Sequence, residues 1–450
     1  MESSAGASPR PTLGSRHAIA ICVGIVIGAG VFRTPSVVAA NSGDAMIFML
    51  AWLAGGLLSV VGALCYAELA SAYPGAGGDY SYLKRAFGER TGFIYAWARL
   101  SVIQTGSLAL LAFVFGDYFA QVIPLGPFGP MIYAAAVVVL LTAVNWAGVR
   151  QGAGTQVWLT ALEVGGLLLI IVVGLLLTSP ATGAAATTPP PGPSQFGLVM
   201  VFVLLTFGGW SEAVYVTAEL RDAPRRIARV LVLSLTLVTL LYLLVNAAFL
   251  RVLGIGGVAA SEAVATDTVR VAFGDAGAIV ISVAVAIAAL TSANATIFTG
   301  ARTTYALGRS VPRLRWLGRW DGGRETPGNA LIVQGAVALV LVVLGGLSRN
   351  GFERAVEFTA PVFWLFMLGV GLALFVLRAR EPNVDRPFRV PLYPVLPILF
   401  CATSAYLLYS SIAYSGWSAL AGVALLGLGA MLSFLIRISP ATPSKKKESA

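Results

Sequence analysis

The chain is 450 residues long, 57% hydrophobic and only 11% charged, with a mean hydropathy of +0.83 and a formal net charge of +10. Soluble domains carry about 25% charged residues, so this composition excludes a soluble multidomain enzyme and describes a polytopic membrane protein. Cys22, Cys65 and Cys401 all fall in apolar stretches, which leaves no disulfide framework, metal cluster or cofactor to expect.

Residues 1–16 form a polar tail, with no signal-peptide cleavage pattern in the apolar span that comes after it. A membrane helix needs about 20 apolar residues, and twelve stretches qualify: 17–40, 45–72, 92–122, 128–149, 155–178, 196–220, 228–251, 276–308, 327–347, 355–378, 391–412 and 416–437. They predict an all-α bundle of twelve transmembrane helices with both termini on one side. A cytoplasmic N-terminus puts 23 of the 30 Lys and Arg residues inside. Arg251, Arg270, Arg349 and Arg354 then lie outside, while Arg33, Arg99 and Arg302 sit within spans. That asymmetry predicts cytoplasmic ends. The basic balance is therefore a topology signal, with contact to anionic membrane lipid, and not a nucleic-acid surface.

Within the first span, Gly24, Gly28 and Gly30 interrupt a run rich in β-branched residues. Each glycine costs roughly 1 kcal/mol relative to alanine in a helix interior. Two readings fit. The helix stops here and offers its freed backbone groups to protein or a wet cavity, or the Gly24/Gly28 pair lets two helices approach closely. Further along, residues 178–194 with their triple proline form a flexible outside loop. Residues 255–275 form a second outside loop, with room for short amphipathic helices acting as a lid. The sixth span then repeats the anomaly at Thr206-Phe207-Gly208-Gly209-Trp210-Ser211. Glycine-interrupted spans in corresponding positions of two halves point to a transporter site. This divides the chain into a tail (1–16), a five-helix repeat (17–178), a loop (179–195), an inverted second repeat (196–378), a cytoplasmic loop (379–390), helices 11 and 12 (391–437) and a second tail (438–450).

At these residues the chain resembles the amino acid–polyamine–organocation (APC) superfamily, near its L-type amino acid transporter branch. Four segments carry the likeness in order: Gly28-Ala29-Gly30-Val31-Phe32, Pro74-Gly75-Ala76-Gly77-Gly78-Asp79-Tyr80, Gly208-Gly209-Trp210-Ser211 with Glu219 downstream, and Arg386-Pro387-Phe388-Arg389-Val390-Pro391. The resemblance implies a leucine-transporter-type 5+5 inverted repeat, with helices 1 and 6 discontinuous. It also implies alternating access and amino acid exchange or symport.

On that likeness the substrate carboxylate meets the N–H groups of Gly28, Ala29 and Gly30, at the N-terminus of a half-helix whose dipole favours an anion. The family serine between the two glycines is Ala29 here, so recognition there rests on backbone, and Ala29→Ser is tolerated. The ammonium group meets carbonyls near Val26 and Ile27, and near Thr206, Phe207 and Gly209. Side-chain recognition falls to Phe207, Trp210 and Ser211, to Ile103, Gln104 and Ser107 on the third span, and to Phe358 and Phe363 on the tenth. For the aromatic residues, ordinary helix packing is the competing explanation. None of these is a carboxylate placed to meet a cationic side chain, which favours a neutral amino acid.

Charges within spans cost roughly 2.5–3.5 kcal/mol at the bilayer centre and need a reason. Glu163 stands where many relatives carry a lysine that replaces a sodium ion. It is a candidate for proton coupling, for cation coordination or for a structural pair. Glu212 either lines the path as a second coupling candidate or caps the helix beyond the break. Glu68 and Glu219 suit gate pairs with arginine, Arg33 the outer vestibule, and Arg99 and Arg302 structural pairs. Ser292, Asn294 and Thr296 fit either an ion site or helix–helix contacts, and the lone His17 carries no metal or catalytic role. A channel lacks a filter repeat, and a membrane enzyme lacks a hydrolase or metal constellation. A cationic amino acid or polyamine carrier is the alternative if Glu163 and Glu212 face the cavity. No cysteine lies in the 124–130 region between spans three and four, so no disulfide-linked accessory subunit is expected.

Overall fold

The first apolar stretch makes two helices instead of one. The computed structural model describes residues 15–74, 78–148, 153–180, 193–212, 223–347, 350–414 and 417–435. In it, α1 (Ser15–Val26) stops short of Gly28, and α2 (Gly30–Ser42) restarts beyond it. Then come α3 (Ala45–Ala72), α4 (Gly78–Phe87), α5 (Glu89–Ala98), α6 (Gln104–Phe119), α7 (Gly129–Trp146), α8 (Ala153–Val172) and α9 (Pro193–Thr206). Past the sixth-span break lie α10 (Ala223–Ala260), α11 (Val264–Ser310), α12 (Gly328–Leu347), α13 (Gly351–Arg380), α14 (Val395–Tyr414) and α15 (Trp417–Leu435). Among the described residues, ten helical segments are long and apolar enough to cross a membrane. The α1–α2 pair and the shorter apolar helix Ala161–Leu177 account for the other two of the twelve stretches. Leu57, Leu140, Leu176, Val280, Leu344 and Phe434 stay exposed on helix faces, as a lipid surface requires.

Local departures from straight helix shape the bundle. A π-helical turn, Arg99–Ile103, joins α5 to α6 and re-aims the side chains of the third span. The stretch 255–275, read from sequence as an outside loop, is largely helical. α10 runs through a kink at Gly254 (φ 67°) to Ala260, and α11 begins at Val264 and kinks at Gly274 (φ 61°). Positive φ at both kinks is a backbone state that glycine enters freely. The apolar sides of these arms, including Val258 and Val264, are buried, and the Ala265 N–H reaches the Tyr118 hydroxyl at 3.4 Å.

The core around the two breaks is aromatic. Trp52 of α3 stands 6.2 Å from Phe207 and 5.7 Å from Tyr242 of α10, whose ring lies 4.9 Å from Phe207. α10 packs along α1, α2 and α3, so both halves of the broken first span rest on it.

Where α3 ends, Glu68 is 0% exposed and takes Arg378 Nε at 2.6 Å, the Arg378 Nη2 at 2.5 Å and the Val390 N–H at 2.7 Å, with Arg386 Nε 3.6 Å away. This clasp ties α3 to the end of α13 and to the Arg-Pro segment before α14. A second pair nearby, Arg85–Glu381 at 2.9 Å, is open to solvent. The Arg85 guanidinium holds the Glu381 carboxyl below the usual carboxylate range, but screening makes such an exposed pair worth little.

Candidate functional site

The turn between α1 and α2 leaves backbone donors without acceptors. Ile27 N–H still reaches Val23 O at 2.8 Å, and Gly28 N–H closes onto Val26 O at 2.8 Å. The N–H groups of Ala29, Gly30 and Val31 lie ahead of the first intrahelical bond of α2. No turn, loop or cap carbonyl among the described residues takes them. They form the positive end of the helix dipole, a natural seat for an anion. A Cβ built on Gly28 would meet no heavy atom within 4 Å, so space opens at the turn. Against the expected donor set, Gly28 N–H is already engaged and Val31 N–H joins the unengaged ones.

The sixth span breaks against the first. Phe207 N–H bonds Val203 O at 3.1 Å and Gly208 N–H bonds Leu205 O at 3.0 Å, after which Gly209 takes φ 85°. An added Cβ at Gly209 would stand 2.6 Å from Ile25 O. The two interruptions therefore touch backbone to backbone. Thr206 Oγ1 donates to Phe202 O at 2.9 Å and shares a hydrogen bond with Thr34 Oγ1 at 2.7 Å, locking α9 to α2.

Tyr242 of α10 bridges the breaks, and the sequence carries no local sign of it. Its hydroxyl lies 3.1 Å from Val26 O and 3.4 Å from Thr206 O. These are two of the carbonyls expected to receive an ammonium group, and here they already accept from a phenol. Ile27 is fully buried beside them.

The aromatic side chains of the sixth break pack toward α3. Phe207 is fully buried against Trp52 and Tyr242. Trp210 stands edge-on to Tyr66, with centroids 5.0 Å apart, and also meets Phe400. Gly208, Trp210 and Ser211 line a small crevice with Phe363, Trp364 and Phe400, and no residue of the first break lines it. Phe358 is buried with its carbonyl facing Gly422 of α15. Phe207 and Phe358 are thus packed among neighbouring residues, whereas Trp210 is both packed and part of the crevice wall.

Charge is paired across the third and sixth spans. Arg99, buried in the π turn, gives Nη2 to both oxygens of Glu212, at 2.7 and 2.9 Å, and Nη1 to the Tyr95 hydroxyl at 3.2 Å. With the Gln104 amide turned to satisfy both its atoms, its oxygen accepts from Arg99 at 2.7 and 3.2 Å. Gln104 is thus held by the charge pair. Ile103 and Ser107, next to it on the same span, are only partly buried. Tyr95 also donates to Asp79 at 3.0 Å. Burial, with the Glu212 charge adding to it, pushes the Asp79 carboxyl up to about 6.

Glu163 is 5% exposed on α8, which packs against α1, α10 and α11. No hydrogen-bond or ion-pair partner binds it among the described residues. Arg33 of α2 pairs with Asp117 of α6 at 3.2 Å and covers the Phe352 ring at 5.7 Å. Arg302 lies over the Phe298 ring. Asn294 accepts from Asn145 at 2.7 Å and Thr296 O from Gln334 at 3.3 Å, so this group joins helices. Glu219 and residues 75–77 of the second motif lie outside the described residues, as does the side chain of His17.

Comparison with known proteins gives a consistent picture. The profile of the family described as amino acid permease matches residues 13–436. The chain is 31% identical over 412 residues to the b(0,+)-type amino acid transporter 1 of Mus musculus, covering 89% of this chain and 82% of that protein. It is 27% identical over 405 residues to the serine/threonine exchanger SteT of Bacillus subtilis, covering 89% and 91%. It is 30% identical over 416 residues to the large neutral amino acids transporter small subunit 2 of Homo sapiens, covering 88% and 75%.

Proposed function

The chain belongs to the amino acid permease family of the APC superfamily, and from that premise we propose that it carries neutral amino acids across the cell membrane by alternating access. One observation carries the reading: no turn, loop or cap carbonyl among the described residues takes the N–H groups of Ala29, Gly30 and Val31, and a Cβ at the neighbouring Gly28 would meet nothing within 4 Å. An amino acid carboxylate satisfies those donors. Carbonyls of the two breaks, among them Ile27 and Gly209, then receive the ammonium group, with the Tyr242 hydroxyl giving up Val26 or Thr206 as substrate arrives. Neutral substrates are favoured because the one acid beside the sixth break among the described residues, Glu212, is already matched by Arg99. The names of two relatives, a serine/threonine exchanger and a large neutral amino acids transporter, agree with this choice.

Both ends of the chain are cytoplasmic in this reading, and residues 17–178 and 196–378 act as the two repeats that rock about the site. Glu163, buried with no ion-pair partner among the described residues where α8 meets α1 and α10, is the proton-coupling group.

The test is competition uptake into proteoliposomes across the twenty amino acids and putrescine, with and without sodium and a pH gradient. Neutral amino acids compete, the pH gradient drives uptake, and sodium has no effect; Glu163→Gln removes the pH dependence. Tight uptake of arginine or putrescine, unaffected by leucine or alanine, would overturn the neutral reading. Unchanged pH and sodium dependence in Glu163→Gln would remove Glu163 from the mechanism.

A further inference from the structure

We infer that the loop between α11 and α12, residues 311–327, is a binding site for an anionic phospholipid. Arg315 and Arg319 hold the headgroup phosphate, and Trp316 and Trp320 anchor in the lipid beside it. Such a site requires only that the loop stands at a membrane surface, and is independent of the substrate and the orientation proposed above.

α11 ends at Ser310 and α12 begins at Gly328, and both are long and apolar enough to span a membrane. The loop therefore joins two helix ends at one membrane surface. It is pinned there. Val311 and Leu317 are buried with Leu307 of α11 and with Phe93 and Leu100 of the third span. An added Cβ at Gly308 would collide with the Gly318 nitrogen, so the loop backbone lies directly on the end of α11. Asn329 Nδ2 donates to Trp316 O at 2.7 Å. Arg313 Nη1 donates to Leu435 O, at the end of α15, at 3.4 Å. These ties hold the loop at the level of the helix ends, where headgroups lie.

Pinned this way, the loop buries aliphatic residues and leaves its tryptophans out: Trp316 is 46% exposed and Trp320 44%. An indole suits the interface, where its ring finds apolar matter and its N–H finds water. Charge is arranged to match. Residues 309–325 hold five arginines against two acids, Asp321 and Glu325. Arg324 lies over the Trp146 ring at 3.6 Å, and Asp321 accepts the Gly323 and Arg324 N–H groups at 2.9 and 3.2 Å. Arg315 and Arg319 differ: both are exposed, and nothing among the described residues takes either guanidinium. Each stands immediately before a tryptophan, so the pair Arg-Trp repeats four residues on. A guanidinium meets phosphate oxygens through parallel N–H groups, and basic residues near an anionic surface add to the attraction. A zwitterionic headgroup brings its own cation with the phosphate and gains less. A free anion would use the arginines and leave the tryptophans idle, whereas a phospholipid uses both.

The experiment is native mass spectrometry of the full chain in detergent, titrated with phosphatidylglycerol or with phosphatidylcholine of the same acyl chains. The unchanged protein binds its first phosphatidylglycerol ~tenfold more tightly than phosphatidylcholine. Arg315→Gln/Arg319→Gln weakens phosphatidylglycerol binding by ~tenfold or more and leaves phosphatidylcholine binding as it was. Trp316→Ala/Trp320→Ala weakens both lipids. Arg85→Gln/Arg389→Gln, which removes two other exposed arginines, changes neither. All the substituted side chains are at the surface, and thermal unfolding confirms that the variants stay folded. Phosphatidylglycerol binding that survives Arg315→Gln/Arg319→Gln would overturn the inference. Equal weakening in Arg85→Gln/Arg389→Gln would overturn it too, by showing a diffuse charge effect. Displacement of the lipid by inorganic phosphate would make the loop a free-anion site and overturn the lipid assignment.

Discussion

Replacing Gly28 with valine abolishes amino acid uptake while leaving the protein folded. Gly28 has no positive φ, so a side chain can adopt its backbone conformation, and an added Cβ meets nothing within 4 Å. The backbone and the first side-chain atom therefore meet no obstacle in the protein. The substrate does, because the new side chain fills the space at the turn next to the unengaged N–H groups of Ala29, Gly30 and Val31. Gly209 behaves differently. There φ is 85° and a Cβ would stand 2.6 Å from Ile25 O, so Gly209→Ala forces the two breaks apart and loses stability together with transport. Thermal unfolding in detergent, paired with uptake, separates the two cases. A Gly28→Val protein with normal uptake would show that the substrate does not pass this turn.

Glu68→Ala carries the largest stability loss, about 3–5 kcal/mol, because it strands two guanidinium groups that share one fully buried carboxylate. The Val390 N–H loses its acceptor as well, and the segment Arg386–Pro391 is released from α3. Ser71 adds only longer contacts to Phe388, 3.3 and 3.4 Å, and does not replace the clasp. Glu68→Gln costs less, since an amide still accepts from one arginine. Calorimetry or tryptophan fluorescence during unfolding in detergent measures this, and an unshifted transition in Glu68→Ala would show that the clasp contributes nothing.

The breaks in spans one and six are legible in the sequence because glycines clustered in an apolar run have few roles other than interrupting it. The twelve-span count comes from apolar length in the same way. What escapes is anything set by rotation about a break. Phe207 and Trp210 look like gate or pocket residues because they flank glycines, and only the fold shows both rings packed toward α3. Tyr242 escapes for another reason. It is one tyrosine in the leucine-rich run Leu240–Leu244, and only the packing of α10 along α1 and α2 brings it to both breaks. The Arg99–Glu212 pair spans 113 positions, and a π turn sets its register, so no local pattern announces it. The Gly254 and Gly274 kinks explain why a stretch with acidic residues reads as loop but folds as helix.

In the proposed transport cycle, backbone N–H groups hold the carboxylate of a neutral amino acid. Competition between the most strongly transported neutral amino acid and its carboxamide, measured on the reconstituted protein, tests this without altering the chain. Charge-assisted hydrogen bonds contribute about 1.5–3 kcal/mol each, so losing two of them weakens the carboxamide by ~100-fold or more. That is the predicted result. A carboxamide competing as well as the free acid would contradict it.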